Sequence, residues 1–481
     1  MNGKLRFALV GGMALAASAM SAQQTWRRSI GGWGPDEAAA VVQLPSGTIA
    51  VAGSTGSFNV PGGDAYLLFL DEQGALLSSR TWGTAGVDRA TAIGATDGGF
   101  FIAGHSNGAG AGGYDGFVAS FSADGQELWR RFIGSTSWEF LADGKAASEG
   151  YYLTGTTYAT PGGDADIWVV RMSASGDTLW TRKTGSAGDD AGWGVCACTS
   201  GGCAVVGEVV VNDSTTDGIL LRYSSTGELL WTRTFPGIGS EAAHAVAEGS
   251  DGALYVTGVT NTFYPYDQLL LAKVGADGSL AWSTEFGFVS DWEAWDIALD
   301  ADGDVHVAGS SSGFGSGGWD MYLLITDGDG QFAGGRTYGG GGDEHGYGVA
   351  TALDGGIIVA GSSTSYGPGI MSAFIVKGDT AGFTFPESVE TVLDPVGIAA
   401  PERTAPRIFP TLVPEGGAVR LVGLPGRAAY RLLDASGREW RIGSMMGGAD
   451  EIQLQGLPRG TYVLEVQPAQ GPALRDRLVI Q

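Results

Sequence analysis

Cysteine, histidine and lysine are scarce in this sequence, and long apolar runs are missing. Three cysteines in 481 residues rule out a disulfide-built scaffold. The four histidines, His105, His244, His306 and His345, lie in no Gly-x-Ser-x-Gly or His-Glu-x-x-His context. Beyond the N-terminal segment no stretch of 18 consecutive apolar residues occurs, so no helix of the mature chain is expected to cross a membrane. Basic residues are outnumbered 27 to 52 by acidic ones. The resulting charge of −25 excludes a general nucleic-acid binder, because phosphate binding needs clustered Lys and Arg. Helical periodicity is absent as well. Glycine is what abounds, with 83 residues but no strict every-third spacing, so collagen is excluded. The 43% apolar and 10% aromatic residues supply a large core. Many short strands joined by tight turns fit this composition.

The acidity is local. Residues 401–481 hold ten of the 27 basic residues and eight of the 52 acidic ones, a net of +2. The remaining 17 basic and 44 acidic residues give the first 400 positions a net of −27. A domain boundary is expected between the two. At the N-terminus, Lys4 and Arg6 precede an apolar stretch from Phe7 to Met20. Residues 1–22 therefore read as a signal peptide, with cleavage after Ala19 or Ala22.

Seven repeats follow. An apolar run ends in glycine at Gly53, Gly104, Gly155, Gly207, Gly258, Gly309 and Gly361, at spacings of 51 or 52. An acidic residue stands 16 or 17 positions before each marker: Asp36, Asp88, Glu139, Asp190, Glu241, Glu293 and Glu344. These acids are expected to cap turns rather than to ring a cation. Each copy contains four strand-like segments with Asp-Gly or Gly-Gly turns. The last carries Trp at Trp26, Trp129, Trp180, Trp231 and Trp282, expected to pack between repeats. A period near 50 predicts a propeller or similar array. The seventh copy lacks its own last strand. Thr25 to Ile30 is expected to supply it, with Ala381 to Phe385 as the alternative.

The chain resembles the bacterial seven-bladed β-propeller repeat over about residues 26–382. The expected fold is all-β: a seven-bladed propeller over 23–382, a linker over 383–407 with four prolines, and a small β-sandwich, Ig-like, over 408–481. In that last segment Asp434, Gly437 and Arg438 are followed by Gly456-Leu457-Pro458, Gly460 and Tyr462. This order resembles the C-terminal sorting domain (type A) of the type IX secretion system, with Phe409-Pro410-Thr411 where such domains usually carry Tyr-Pro-Asn-Pro. The resemblance implies the type IX secretion machinery as partner, passage through the periplasm, and release or attachment at the outer-membrane surface.

Candidate chemistry is sparse. Asp300 to Asp304 and Asp327 to Gly330 depart from the EF-hand pattern and read as turns, so no metal and no cofactor is expected. Cys198 and Cys203 flank a four-residue turn and form a candidate disulfide, while Cys196 and Cys198 share one strand face. Loop aromatics Trp33, Trp138, Trp193, Trp292, Trp295, Tyr264, Tyr266 and Trp319 stand on one propeller face. They are the candidate binding residues for a glycan or protein ligand. No catalytic residue is nominated. A binding or adhesion module is the leading expectation; an extracellular hydrolase or lyase and a structural envelope protein are the alternatives.

Overall fold

The computed structural model describes residues 23–394, except 59, 61, 159–162, 213–214, 263–264 and 288. It also describes residues 407–480, except 410–411, 414–417, 425–426, 435–437, 446–447 and 469–473. The predicted signal peptide, Tyr264, Gly437 and residues 395–406 of the predicted linker lie outside the described residues. The chain divides into two units, Met1–Gly397 and Ile398–Gln481.

The described part of the first unit is all-β, built of sheets that resemble propeller blades. Six four-stranded sheets and one five-stranded sheet follow one another along the chain. Their first strands are Asp36–Gln43, Asp88–Thr96, Glu139–Ala147, Ala191–Ala197, Glu241–Glu248, Trp292–Leu299 and Glu344–Thr351. We number the sheets 1 to 7 in that order. Each first strand packs against the next, and that of sheet 7 packs against that of sheet 1, so the ring closes. Apolar clusters fill the spaces between neighbouring sheets.

One device recurs in every sheet. The pairing of the first and second strands slips by one residue, always opposite the marker glycine, for example between Ala38 and Ala40 or between Ala294 and Asp296. Such a bulge places two residues opposite one. It brings a carbonyl of the first strand over the glycine: that of Glu37 over Gly53, of Phe140 over Gly155 and of Glu293 over Gly309. A Cβ there would collide with backbone, which is why the repeat is punctuated by glycine.

The N-terminal strand Trp26–Gly31 closes the ring by pairing antiparallel with Ser372–Gly378 of sheet 7. Its Trp26 Nε1 donates to the Glu72 carbonyl of sheet 1 at 3.0 Å, and Arg28 Nε donates to that of Gly74 at 2.9 Å. The same clamp links other neighbours. Trp180 donates to the Ser225 carbonyl at 2.9 Å and Trp231 to that of Ala276 at 3.1 Å. Trp26, Trp180 and Trp231 thus hold the turn of the following sheet.

The predicted linker needs correction. Val389–Leu393 is a strand that pairs in parallel with Trp26–Gly31 as a fifth strand of sheet 7. Flanking prolines disguise this short apolar alternation. The strand covers an otherwise open edge, and buried Asp394 accepts from Tyr66 and Ser79 of sheet 1.

In the second unit, a three-stranded and a five-stranded sheet share one core. Val419 and Ile452 of the first pack with Leu432, Leu464, Val466 and Ile480 of the second. Leu457 and Tyr462 of the predicted motif are buried in this core. Tyr462 OH donates to the Pro458 carbonyl at 2.8 Å, and the Asp434 carboxylate accepts from the Arg438 N–H at 3.0 Å. Gly456 takes a φ of +84°, a conformation that favours glycine. The described motif residues therefore have local structural work.

Candidate functional site: the central cavity

The bulges decide what faces the middle of the ring. The extra residue is Ala39, Thr91, Ala142, Trp193, His244, Trp295 or Tyr347 in sheets 1 to 7. All seven line a central cavity of about 620 Å³. Three successive positions are small and four are aromatic, so the bulge position has one bare side and one ringed side, while His105, Phe140 and Tyr158 of sheets 2 and 3 line the cavity further out.

The aromatic side is tightly organised. His244 and Trp295 stack in parallel, with centroids 4.5 Å apart and planes at 6°. Trp193 stands edge-on to both, at 82° and 77°. Tyr347 meets Trp295 at 69° and stacks on His345. Carboxylates hold the indoles: Trp193 Nε1 donates to Glu208 at 3.2 Å, and Trp295 Nε1 donates to Glu293 at 3.1 Å. Glu293 also lies 3.5 Å from His345 Nδ1. His244 Nδ1 bonds the Ala294 carbonyl at 2.7 Å, which fixes Nδ1 as the donor. Burial pushes the His244 ring below the usual histidine range.

Charges sit beside these rings. Lys145 Nζ is 3.2 Å from Asp143. Burial opposes its charge, but Asp143 and Asp296 outweigh that and hold the ammonium above its usual range. Asp143 accepts from the Val195 N–H of sheet 4 at 3.0 Å, and Asp296 accepts from the Val349 N–H of sheet 7 at 2.9 Å. Each ties two neighbouring sheets. Burial raises Asp296, with Lys145 opposing; burial also raises Glu37 and Glu208. For Glu293 burial works in the same sense, but the bonds from His345 and Trp295 outweigh it and leave the carboxyl below its usual range.

The predicted binding residues part company here. Trp193 and Trp295 enter the cavity wall. Trp33 and Trp138 are exposed on loops, at 74% and 52%, and Tyr266 is exposed too. Trp319 is half-buried against His345. Trp292 is buried at 4% between Phe314 and Tyr322, so it offers no surface to a ligand. Its position is that of the repeated acid: Trp292 pairs with Ser311 as Asp36 pairs with Thr55. Glu293, counted with the repeated acids from sequence, is one residue out of phase and turns to Trp295 and His345 behind the cavity wall instead. His244, Tyr347 and the cavity carboxylates were not nominated from sequence. The signal for the bulge residues is a constant offset, 13 or 14 positions before the marker glycine.

The remaining repeated acids serve structure. Asp36 accepts from the Gly32 N–H at 2.7 Å and Ser57 Oγ at 2.8 Å; Glu344 accepts from the Gly340 N–H at 2.7 Å and Ser363 Oγ at 2.7 Å. Each fixes the loop entering its sheet. Asp300 and Asp327 likewise cap their own turns, accepting from backbone N–H groups two and four residues on.

The candidate disulfide is not formed, and all three thiols are free and buried. The register sets Cys203 opposite Ala197 and Cys196 opposite Ala204. Cys203 therefore packs on the other side of the sheet from Cys196 and Cys198, in a different apolar cluster.

No protein-family model matches the chain. The regulatory protein FlaEY of Caulobacter vibrioides is 28% identical over 134 residues, which is 25% of this chain and 13% of that one. Solved structures with a similar trace include PorZ of Porphyromonas gingivalis, a surface component of its type IX secretion system. That likeness has 12% identity and a TM-score of 0.40, covering 90% of this chain and 58% of PorZ. Puromycin hydrolase has 16% identity and a TM-score of 0.47 over 91% and 60% of the two chains. The β-propeller domain of the Trilobed protease from Pyrococcus furiosus has 10% identity and a TM-score of 0.41 over 76% and 98%. At such scores the propeller class rests on the sheets described above.

Proposed function

We propose that this chain is a secreted or cell-surface binding protein whose seven-bladed β-propeller takes a glycan or protein ligand in its central cavity. The half-ring of Trp193, His244, Trp295 and Tyr347 carries this reading. Aromatic rings pinned by hydrogen bonds offer a rigid apolar surface, and carboxylates beside them add polar anchors. In the same proposal residues 1–22 are a signal peptide. Residues 408–481 are an Ig-like sandwich recognised by the type IX secretion machinery, which delivers the propeller through the periplasm to the outer surface.

Two experiments test the two halves. Screening the full chain on glycan and protein arrays should give a ligand whose binding disappears in Trp193→Ala and Trp295→Ala. Undiminished binding by both variants would remove the cavity as the site. Deleting residues 408–481 should trap the protein in the periplasm; normal surface delivery would sink the sorting role. One observation favours a second reading, an extracellular hydrolase or lyase. Glu37 and Glu293 both face His345 and Tyr347, and their carboxyls, one raised and one lowered, suit general acid and base roles. Turnover of a captured ligand that Glu293→Gln abolishes would establish it.

A further inference from the structure

We infer that the central cavity takes an organic cation, an alkyl-substituted ammonium group seated against its aromatic side. The inference rests on the cavity being the ligand site and names the chemistry that site selects.

Both indole N–H groups are already donated, Trp193 to Glu208 and Trp295 to Glu293. The tryptophans therefore present carbon surface and π density to the cavity, with their N–H donors spent. Trp193, at 82° and 77° to the stacked His244 and Trp295, and Tyr347, at 69° to Trp295, make a walled corner rather than a flat stacking platform. The electron-rich face of an aromatic ring attracts a cation, most strongly where water is excluded. A carboxylate bonded to the indole N–H places further negative charge at the edge of the same ring.

Charge balance points the same way. Among the described residues lining the cavity are six carboxyl side chains and one ammonium, that of Lys145. Asp143 engages that ammonium directly and Asp296 acts on it as well. It is thus not available to neutralise Glu208, while Glu37 is faced by Arg89 from outside the cavity lining. A neutral sugar could find donors in the hydroxyls of Thr156 and Tyr158, but it would leave the excess negative charge of the lining uncompensated. An anion would meet excess negative charge. An alkylated ammonium asks only for aromatic surface and negative potential, and both are present. A cavity of about 620 Å³ has room for such a group with its chain attached.

The test uses the full chain, with calorimetry and tryptophan fluorescence as readouts. The probes are choline, tetramethylammonium, a peptide carrying trimethyl-lysine, 3,3-dimethylbutan-1-ol as the neutral isostere of choline, and a panel of neutral saccharides. At least one cation should bind ten-fold or more tighter than the neutral isostere. Trp295→Ala and Glu293→Gln should each weaken it ten-fold or more, with circular dichroism showing that both variants remain folded. Stronger binding of the peptide identifies a side chain of a partner protein as the source; stronger binding of choline identifies a free small molecule. Equal binding of the neutral isostere, or no cation binding at tens of millimolar, overturns the inference. A neutral saccharide that binds and is lost in Trp295→Ala overturns it too, yet leaves the cavity as the ligand site.

Discussion

The two sides of the central ring share one backbone and carry different side chains. At the bulge position sheets 1 to 3 hold Ala39, Thr91 and Ala142, whereas sheets 4 to 7 hold Trp193, His244, Trp295 and Tyr347. The slip and its marker glycine occur in all seven, so the repeat constrains the second strand and leaves the bulged residue free. Structure and recognition are thereby divided between neighbouring positions. A bulge turns its extra residue out of the pleat, so a change there meets the cavity and not the core.

That contrast can be broken most severely at the glycine. Gly309→Ala places a methyl on the Glu293 carbonyl. It should destabilise the propeller by about 3 kcal/mol, the upper range for overpacking. Gly98→Ala, where an added Cβ meets nothing within 4 Å, should shift stability by less than about 0.5 kcal/mol. Urea melts of the two variants compare them, and equal losses would contradict the role given to the marker.

At the bulge itself the balance reverses. Trp295→Ala removes three ring contacts and the bond to Glu293, so it should cost about 2 kcal/mol of stability, less than Gly309→Ala, yet weaken ligand binding at least ten-fold. Ala39→Trp, on the bare side, should fold and block the ligand by filling the cavity. Paired melts and binding isotherms decide, and a folded Ala39→Trp that binds normally would erase the distinction between the sides.

A smaller effect sits on the bare side, at His105. Its ring lies against Phe140 and Tyr114, and burial lowers its pKa to about 4. The unfolded chain therefore takes up this proton first. The contribution to stability is complete above the ordinary histidine pKa of about 6.5 and is lost as pH falls from there toward 4. Proton resonances of the His105 ring should titrate near pH 4; a midpoint near 6.5 would show the ring to be solvated. Finally, three thiols should react with a maleimide after denaturation without reductant, and fewer would mean that the strand register differs from that described.

Much of the architecture could be read from the sequence because its causes are local and repeated. A close backbone approach demands glycine, and seven such glycines at a fixed spacing announce seven units. Trp26 was legible as the missing last-strand tryptophan, since the pattern had one vacancy and one orphan. The cavity was less legible for the same physical reason that made the glycines plain. The bulge shifts side-chain parity within the first strand, so alternation counted across it fails. Trp292 then passes for a surface residue and Glu293 for a loop cap; Cys203 is placed facing Cys198 for a separate reason, the hairpin register that sets it opposite Ala197. The bulged residues share a position and no chemistry, which leaves composition silent about them. The strand Val389–Leu393 escaped because its partner, Trp26–Gly31, lies more than 350 positions away.

The account stands or falls on whether the aromatic side is where a ligand sits. The most direct measurement is a binding isotherm for choline on the unaltered full chain, Trp295→Ala and Trp33→Ala, the last exposed on an outer loop. We predict saturable binding that survives Trp33→Ala and falls at least ten-fold in Trp295→Ala. Binding lost in Trp33→Ala and kept in Trp295→Ala would contradict the account and move recognition to the loops.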